Sequence, residues 1–455
     1  MFRLVIIGCG PAGLAPLLAA HRNGQLDALL SGGVAVVEAS GAMGGGALGD
    51  YAISSDSTGT TFVDCLQSAS PSALTALQTH PLTVEVAQAG DGPVALALAG
   101  RFLALVGQTI HAILAAHPDC AVFTHHRACL TQRVADGWTT TIEDAVGRQK
   151  TLSSRFVSIA AGAHQPLSRL AAETVGGVKL VERYGKKLVQ SGDVFTGAGL
   201  AAVSRQLAAL AEPRVAVIGG STSAAAIASA LLRDQSIRFS EAGVTILHRR
   251  ELRIYYPSVQ DALDDGYTEF SDADICPISG RVFRFAGFRL DSRELIMRAR
   301  GIGGRPAEPR LALHRLRPHD SEAISILDRA DLVIAALGYR PRALPVVDAA
   351  GRPLALHAHT APAAPLVDGN CAVLDAAGRP IPGLFAIGLA AGFVPRGRLG
   401  GEPSFSGQAN GLWLWQNDVG MLIVRAVLAQ MPRVASARFA RRKRDAGYLH
   451  AQAVS

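Results

Sequence analysis

Two glycine-rich stretches of this 455-residue chain have the spacing to hold phosphate. In RLVIIGCGPAGLAPLLAA, residues 3 to 20, an apolar run leads into Gly8, Gly10, Pro11, Ala12 and Gly13. Glycine at these three positions permits a tight turn, a close approach of backbone to a pyrophosphate, and close packing of a helix on the strand. Pro11 falls in the first turn of that helix, where proline costs least. The helix start then offers unpaired N–H groups and the positive end of its dipole to an anion. A second apolar run, GVAVVEA, ends in Glu38, whose carboxylate can accept hydrogen bonds from ribose hydroxyls. The second stretch, RVAVIGGSTSAAAIASALL at 214 to 232, repeats the device with Gly219, Gly220, Ser221, Thr222 and Ser223. The run that follows it, VTILHRR, ends in Arg249 and Arg250 instead of an acid. Guanidinium groups there suit a 2′-phosphate, which an acid would repel, so the second cradle is expected to take NADPH. Two cradles imply two nucleotides.

The elements that must position these turns are legible around them. With 49% of residues apolar and 18% charged, the chain can bury a core larger than one compact domain needs. ACLTQRVADGWTTTIED reads as two strands joined at an Asp-Gly turn, and SSRFVSIAAG as a third strand returning to the first sheet. RADLVIAALGY at 329 to 339 and GRPIPGLFAIG at 378 to 388 are further buried strands running into glycine turns, and 408 to 430 reads as a helix. The expected fold is α/β with two Rossmann-like dinucleotide-binding domains. The first is discontinuous, at 1–185 and 325–455, with the NADPH domain at 186–324 inserted.

Other signals narrow the class. The formal charge is +7, but the basic residues are scattered except for ARFARRKR at 437 to 444, which reads as a solvated tail; no nucleic acid is expected. Six cysteines without a CxxC or zinc-like spacing imply no metal, no disulfide framework and a reduced, cytoplasmic location. The apolar run before Cys9 is too short for a secretion signal, and no uninterrupted apolar run is long enough to span a bilayer. Trp413 and Trp415 suit core or dimer contacts, which leaves a homo-oligomer open.

The arrangement resembles the two-dinucleotide-binding flavoproteins, and more closely the flavin-dependent N-hydroxylating monooxygenases that act on ornithine, lysine and related amines. GCGPAGLA is similar to that family's FAD motif, and VIGGSTSAAAIA to its NADPH motif. GDYAISSDSTGTTFVDCL at 49 to 66 resembles its substrate-side segment, with Asp50, Asp56, Thr58 and Phe62 in matching places. KKLVQSGDVF, DLVIAALGYRP and EPSFSGQA match three later motifs. The resemblance implies FAD at the first cradle, with Gly44 and Gly45 letting backbone approach the flavin, Gly388 in a second flavin loop, and Ser406 and Gln408 hydrogen-bonding the ring. It also implies the chemistry: NADPH reduces FAD, O₂ adds to give a C4a-hydroperoxyflavin, and its oxygen passes to an uncharged amine nitrogen of a small molecule. Asp56 is the candidate to orient the substrate ammonium.

Four departures qualify the match. Ser221 replaces a glycine of the NADPH motif, Thr222 a glutamine, and Leu337 a threonine. Gly49 stands where ornithine-type members carry a lysine that helps hold the substrate carboxylate, which argues against a free amino acid. The alternative expectation is an NADPH-dependent flavoprotein reductase or oxidase that inserts no oxygen.

Overall fold

The run FRLVII forms the strand Phe2–Ile7, its last four residues buried, and pairs in parallel with Val34–Val37 on one side and Gln149–Ile159 on the other. This is a computed structural model describing residues 1–342, 344–361 and 364–429; the basic stretch at 437 to 444 and the end of the last expected helix lie outside it. Parallel neighbours need a crossover, and helix α1 (Pro11–Arg22) supplies it. Ala121–Phe123 extends this first sheet beyond Val34–Val37, and Pro380–Ala386 joins it beside Gln149–Ile159. The meander forms as read: His126–Val134 and Gly137–Asp144 pair antiparallel across Asp136, and Gln149–Ile159 runs beside Gly137–Asp144 before entering the parallel sheet. Trp138, 1% exposed, ties the meander down by donating its indole N–H to the Pro382 carbonyl at 3.2 Å.

Ahead of the meander in the chain, and packed in the first core, comes helix α2 (Leu96–Ala116). At 21 residues it is long and apolar enough to cross a membrane by length and composition, although Arg101 and two glycines interrupt its apolar run. It buries Phe102, Leu103, Val106, Ile110 and Leu114 in the first core. Its glycines receive the loop 43–49. A Cβ on Gly107 would stand 2.2 Å from the Met43 carbonyl oxygen, and one on Gly100 would stand 2.5 Å from the Gly49 nitrogen.

The second sheet is wholly parallel, in the order Leu188–Gln190, Leu332–Ala335, Val215–Ile218, Val244–His248, Leu311–Arg315. Alternate residues face opposite cores, with Val215, Val217 and Ile246 on one side and Ala216, Ile218, Leu247 and Val333 on the other. Helix α3 (Thr222–Arg233) follows its glycine turn, and helix α4 (Leu290–Arg300) packs beside α3.

This sheet corrects the expected borders. Leu332–Ala335 pairs with Val215–Ile218, so the chain does not return to the first unit at 325. Val175, Leu180 and Tyr184 already pack on the second sheet, ahead of residue 186. A run of four apolar residues looks alike in either parallel sheet, which is why sequence could not assign it. The last expected helix also starts later: a short turn at Leu412–Leu414 and a π-type turn at Trp415–Val419 precede Gly420–Ala429.

Replacing Gly107 by alanine forces backbone apart, because the obstructing atoms belong to Met43 and Gly44. Overpacking of this kind costs about 1–3 kcal/mol. Gly107→Ala is expected to lower the thermal midpoint by several degrees and to reduce the FAD retained on purification. Gly185→Ala, where no atom lies within 4 Å, should change neither.

Candidate active site

The first cradle has the geometry of a pyrophosphate site. Gly8 adopts φ +82°, and a Cβ there would meet the Ala160 carbonyl oxygen at 2.5 Å; one on Gly13 would meet the Gly8 carbonyl oxygen at 2.0 Å. These two glycines are fixed by packing. Gly10 is different: a Cβ would find nothing nearer than Gly46 at 3.4 Å, so its bareness leaves room for something outside the chain. No side chain caps α1, whose first residues are Pro11, Ala12 and Gly13, and its dipole end faces that space. Glu38 follows Val34–Val37 directly and reaches back over the turn, accepting the Cys9 N–H at 2.6 Å and the Ser40 N–H and hydroxyl at 2.9 Å each. A carboxylate so held keeps lone pairs for ribose hydroxyls.

The neighbouring loops come to the same turn. Gly46 packs on Pro11, whereas Gly44 and Gly45 face α2, where their Cβ atoms would stand 1.9 Å from the Leu103 oxygen and 2.8 Å from the Gly100 oxygen. Packing on α2 therefore dictates glycine at 44 and 45. Gly388, φ +120°, lies against Ala12, and the N–H of Ala390 is held by the Asn410 side chain at 3.2 Å. Ser406 is exposed and Gln408 half-buried; among the described residues neither side chain has a hydrogen-bond partner. The polar side chains that organise this loop are instead Glu402, Ser404 and Asn410.

In the second cradle Gly219, φ +152°, approaches the Ala336 carbonyl oxygen so closely that a Cβ would stand 2.5 Å away. Ser221 has φ −128°, ordinary extended backbone, which explains why a glycine is dispensable there. Thr222 and Ser223 open α3, again without a side-chain cap. Arg249 is already engaged, with the Glu173 carboxylate and the Thr174 carbonyl. Arg250 is exposed and has no ion-pair partner among the described residues. Leu337, in the place of a threonine, packs against the core under this sheet.

Asp56 lies where the two units meet. It lines a cavity of about 300 Å³ with Tyr51, Ser54, Thr222, Ala226 and Ser292. Water can reach it from the cavity, yet protein surrounds it on the other sides. Burial pushes its pKa up to about 7, although the nearby Arg289 guanidinium and a hydrogen bond from the Thr222 hydroxyl pull the other way. The same seam is stitched by backbone, Ala52 N–H to the Phe195 carbonyl at 2.8 Å, and by Tyr51 against Phe195.

A second stitch was not read from sequence. Residues 250 to 289 pack into the core of the second unit through Leu252, Ile254, Tyr256 and Phe288 and extend from it to dock on the loop 399–405. Glu402, 3% exposed, accepts the Phe285 N–H at 3.1 Å and the Ala286 N–H at 2.8 Å. Ser404 donates to Asp274 at 2.6 Å, and Phe285 packs on Phe405. Cys276 is buried here. Burial pushes its thiol up, but hydrogen bonds from Ser279, the Gly401 N–H and Arg284 prevail and hold it at about 6. A signal existed in GRVFRFAGFRL, where arginine and phenylalanine interleave, but that stretch was passed over.

Comparison with known proteins agrees with this geometry. No protein-family model matches the chain. Over 443 residues it is 33% identical to the CMP-5′-(3-aminopropyl)phosphonate hydroxylase of Streptomyces rubellomurinus, spanning 94% of this chain and 98% of that one. Among solved structures it shares the fold of the FAD-bound cadaverine monooxygenase of the desferrioxamine pathway of Erwinia amylovora, with TM-score 0.55 and 13% identity over 94% of this chain and 95% of that one. It also shares the fold of the Kutzneria sp. 744 ornithine N-hydroxylase with reduced FAD, NADP⁺ and L-ornithine, TM-score 0.51 and 16% identity over 94% and 99%. The chain belongs to the flavin-dependent N-hydroxylating monooxygenases, which use FAD and NADPH to hydroxylate an amine nitrogen.

Proposed function

We propose that the substrate is a small molecule bearing a terminal primary amine and a phosphonate or phosphoryl group, the type named for the Streptomyces rubellomurinus relative. Identity of 33% along almost the whole length of both chains carries this reading. Gly49 supports it, since no lysine stands there to receive an amino-acid carboxylate. The reaction balances as amine, O₂, NADPH and a proton giving hydroxylamine, NADP⁺ and water. Six free cysteines support a reducing, cytoplasmic setting.

FAD would be held by the Gly8–Gly13 turn, Glu38 and the Gly388 loop, and NADPH by the start of α3 with Arg250 at its 2′-phosphate. When bound, reduced FAD supplies the oxygen-activating chemistry. The chain's own residues supply orientation and proton control. An ammonium has no lone pair, so the substrate must lose a proton before its nitrogen can react. Asp56 attracts the ammonium and, with a carboxyl pKa of about 7, accepts a proton far more readily than an ordinary carboxylate. Thr222 aims that carboxylate by hydrogen bonding to it. The stitched seam at Phe195 and Glu402 fixes how the two units meet around that space.

Four outcomes are expected. NADPH consumption by the FAD-loaded enzyme should convert 3-aminopropylphosphonate or its CMP ester to a product carrying one more oxygen on nitrogen, read by mass spectrometry. Hydroxylation of ornithine or lysine, with only H₂O₂ formed on the phosphonate amines, would refute the substrate class. Asp56→Asn should lower kcat/KM for the amine by about 100-fold while leaving flavin reduction by NADPH intact, and should erase a rise in the wild-type profile through pH of about 7. The linkage sign is also testable: a raised carboxyl pKa costs folding stability increasingly from pH of about 4 to about 7 and fully above it. Asp56→Asn should therefore raise the thermal midpoint at pH 8 more than in mild acid. Finally, Arg250→Gln should raise KM for NADPH about tenfold with little change for NADH, and Arg249→Gln should act less, its charge being spent on Glu173.

A further inference from the structure

The arginines between residues 250 and 315 fall into two groups. Arg293, Arg298, Arg300, Arg305, Arg310 and Arg315 each meet a carboxylate. Among the described residues Arg253, Arg281, Arg284 and Arg289 form no ion pair with a carboxylate, and three of them lie over aromatic rings instead. Arg289 is 4.1 Å from the Tyr255 ring centre, Arg284 4.9 Å from Phe285 and Arg253 5.0 Å from Phe283. Arg284 also donates to the Leu399 carbonyl at 3.0 Å and reaches the Cys276 sulfur at 3.6 Å. Arg289, half-buried, has a single acceptor, the Arg284 carbonyl. Like charges gathered with fewer paired anions than cations favour the arrival of further negative charge; here, among the described residues, the Cys276 sulfur is the one anionic group within hydrogen-bond reach, and it serves Arg284.

Of the carboxylates that stand near, two are occupied and two, Asp418 and Asp56, lie beyond ion-pair distance of the cluster. Glu402 is taken by backbone N–H groups, and Asp274 by Ser271 and Ser404. Asp418 is half-buried, which raises its pKa despite Arg284 and Arg398. Asp56 faces Arg289 with its own pKa raised. Burial lowers the Arg289 pKa first; Tyr255 and Asp56 oppose this, and Arg281 and Arg284 add to it. The backbone around the cluster is held in unusual conformations: Phe283 at φ 45° and Leu290 at φ 46° are non-glycine residues in the left-handed region. Such strain persists where the surroundings enforce a particular side-chain placement. Here it brackets Arg284 and Arg289.

We propose that Arg281, Arg284 and Arg289 form an anion site that binds the phosphonate or phosphate group of the amine substrate, beside Asp56, which takes the ammonium end. The assignment of the anion to the substrate rests on the substrate class proposed above. The cluster belongs to the excursion that docks on loop 399–405, whereas the coenzyme's phosphates have their own cradle at Gly219 and the start of α3, with Arg250 at the strand tip. Guanidinium groups match phosphoryl oxygens in pairs, and Tyr255 and Phe285 hold them in fixed planes. A zwitterionic substrate with a short linker would thus meet charges of the right sign at both ends.

The test compares Arg289→Met, Arg289→Lys and Arg281→Met with wild type, each FAD-loaded. Steady-state turnover would use 3-aminopropylphosphonate, its CMP ester, and 3-aminopropanol, which lacks the anion. Arg289→Met is expected to raise KM for the phosphonates about 20-fold and to leave KM for NADPH and the rate of flavin reduction unchanged; for 3-aminopropanol it should move the pH profile upward, because Arg289 no longer pulls the Asp56 pKa down, without a comparable rise in KM. Arg289→Lys should recover part of the loss, and Arg281→Met, at the exposed rim, should show a smaller effect in a variant whose fold is not at risk. A rise in KM for NADPH instead would assign the arginines to the coenzyme's phosphates and overturn the proposal, as would unchanged constants throughout. A separate arm titrates inorganic pyrophosphate into NADP⁺-saturated enzyme by calorimetry. Binding in wild type that is lost in Arg289→Met supports the anion site even if no phosphonate amine is turned over, an outcome that would sink only the substrate class. No binding in wild type overturns the site itself.

Discussion

Everything that the two nucleotide units do together depends on a buried carboxylate meeting two backbone amides. Glu402 is removed from water, and its oxygens are occupied by the N–H groups of Phe285 and Ala286. A carboxylate in that position without partners would cost several kcal/mol, and charged hydrogen bonds to amides are worth about 1.5–3 kcal/mol each. The contact therefore has one good register. Once it forms, the excursion 250–289 is set against the flavin loop, Phe285 lies on Phe405, Cys276 receives the Gly401 N–H, and Arg284 reaches Leu399. Neither unit closes the substrate space alone. The chemistry needs both nucleotides to address one point, and this contact helps to decide where that point is.

What could be read from sequence, and what could not, follows the range of the interactions. The cradles were legible because a glycine turn is largely a local demand: Gly8 needs its positive φ, and Gly13 answers to the Gly8 carbonyl within one strand-turn-helix unit, although Gly8 also packs on the distant Ala160. Glu38 and the meander were legible for the same reason, as an acid at a strand end and a period of two around Asp136 and Gly137. The border of the second unit was not, because Leu332–Ala335 is equally apolar whichever parallel sheet receives it. Gly44 and Gly45 were read as letting backbone approach the flavin; the structure adds a packing demand, since a Cβ on either would meet Leu103 or Gly100 of α2, partners more than fifty residues away. Ser406 and Gln408 stood out by type, but the work in that loop falls to Glu402, Ser404 and Asn410. Their partners Ala286, Asp274 and Ala390 are distant in sequence for the first two and near only through a reversal for the third.

Asp56 occupies the middle ground. Its candidacy came from a segment matched by resemblance, but its unusual acidity comes from tertiary structure. Residues 51 to 56 belong to the first unit, Thr222 to the second, and Arg289 to the excursion, so three parts of the chain set one ionisation. Burial wins over both opposing influences. A carboxyl poised near neutrality is useful only beside a cavity a substrate can enter, and the cavity is there. The same docking that orients the units thereby tunes the group best placed to manage the substrate's proton.

Because oxygen activation is supplied by cofactors, a change of substrate in this fold needs only a change in the few side chains that hold the ends of the molecule. Holding an amino acid requires a cation for the carboxylate and tolerance of a second ammonium on the same carbon. The arginine cluster offers the first but not the second, since an α-ammonium beside Arg284 and Arg289 would meet like charge in a partly buried setting. A phosphonate carries no such ammonium and presents more acceptor oxygens to the same guanidinium groups. Under the proposed substrate class, the absence of a lysine at Gly49 and the arginines at 281, 284 and 289 would act in one direction. The first removes the anchor for a carboxylate, and the second repels the amino acid's extra charge while attracting a phosphoryl group, so that specificity arises as much from exclusion as from attraction.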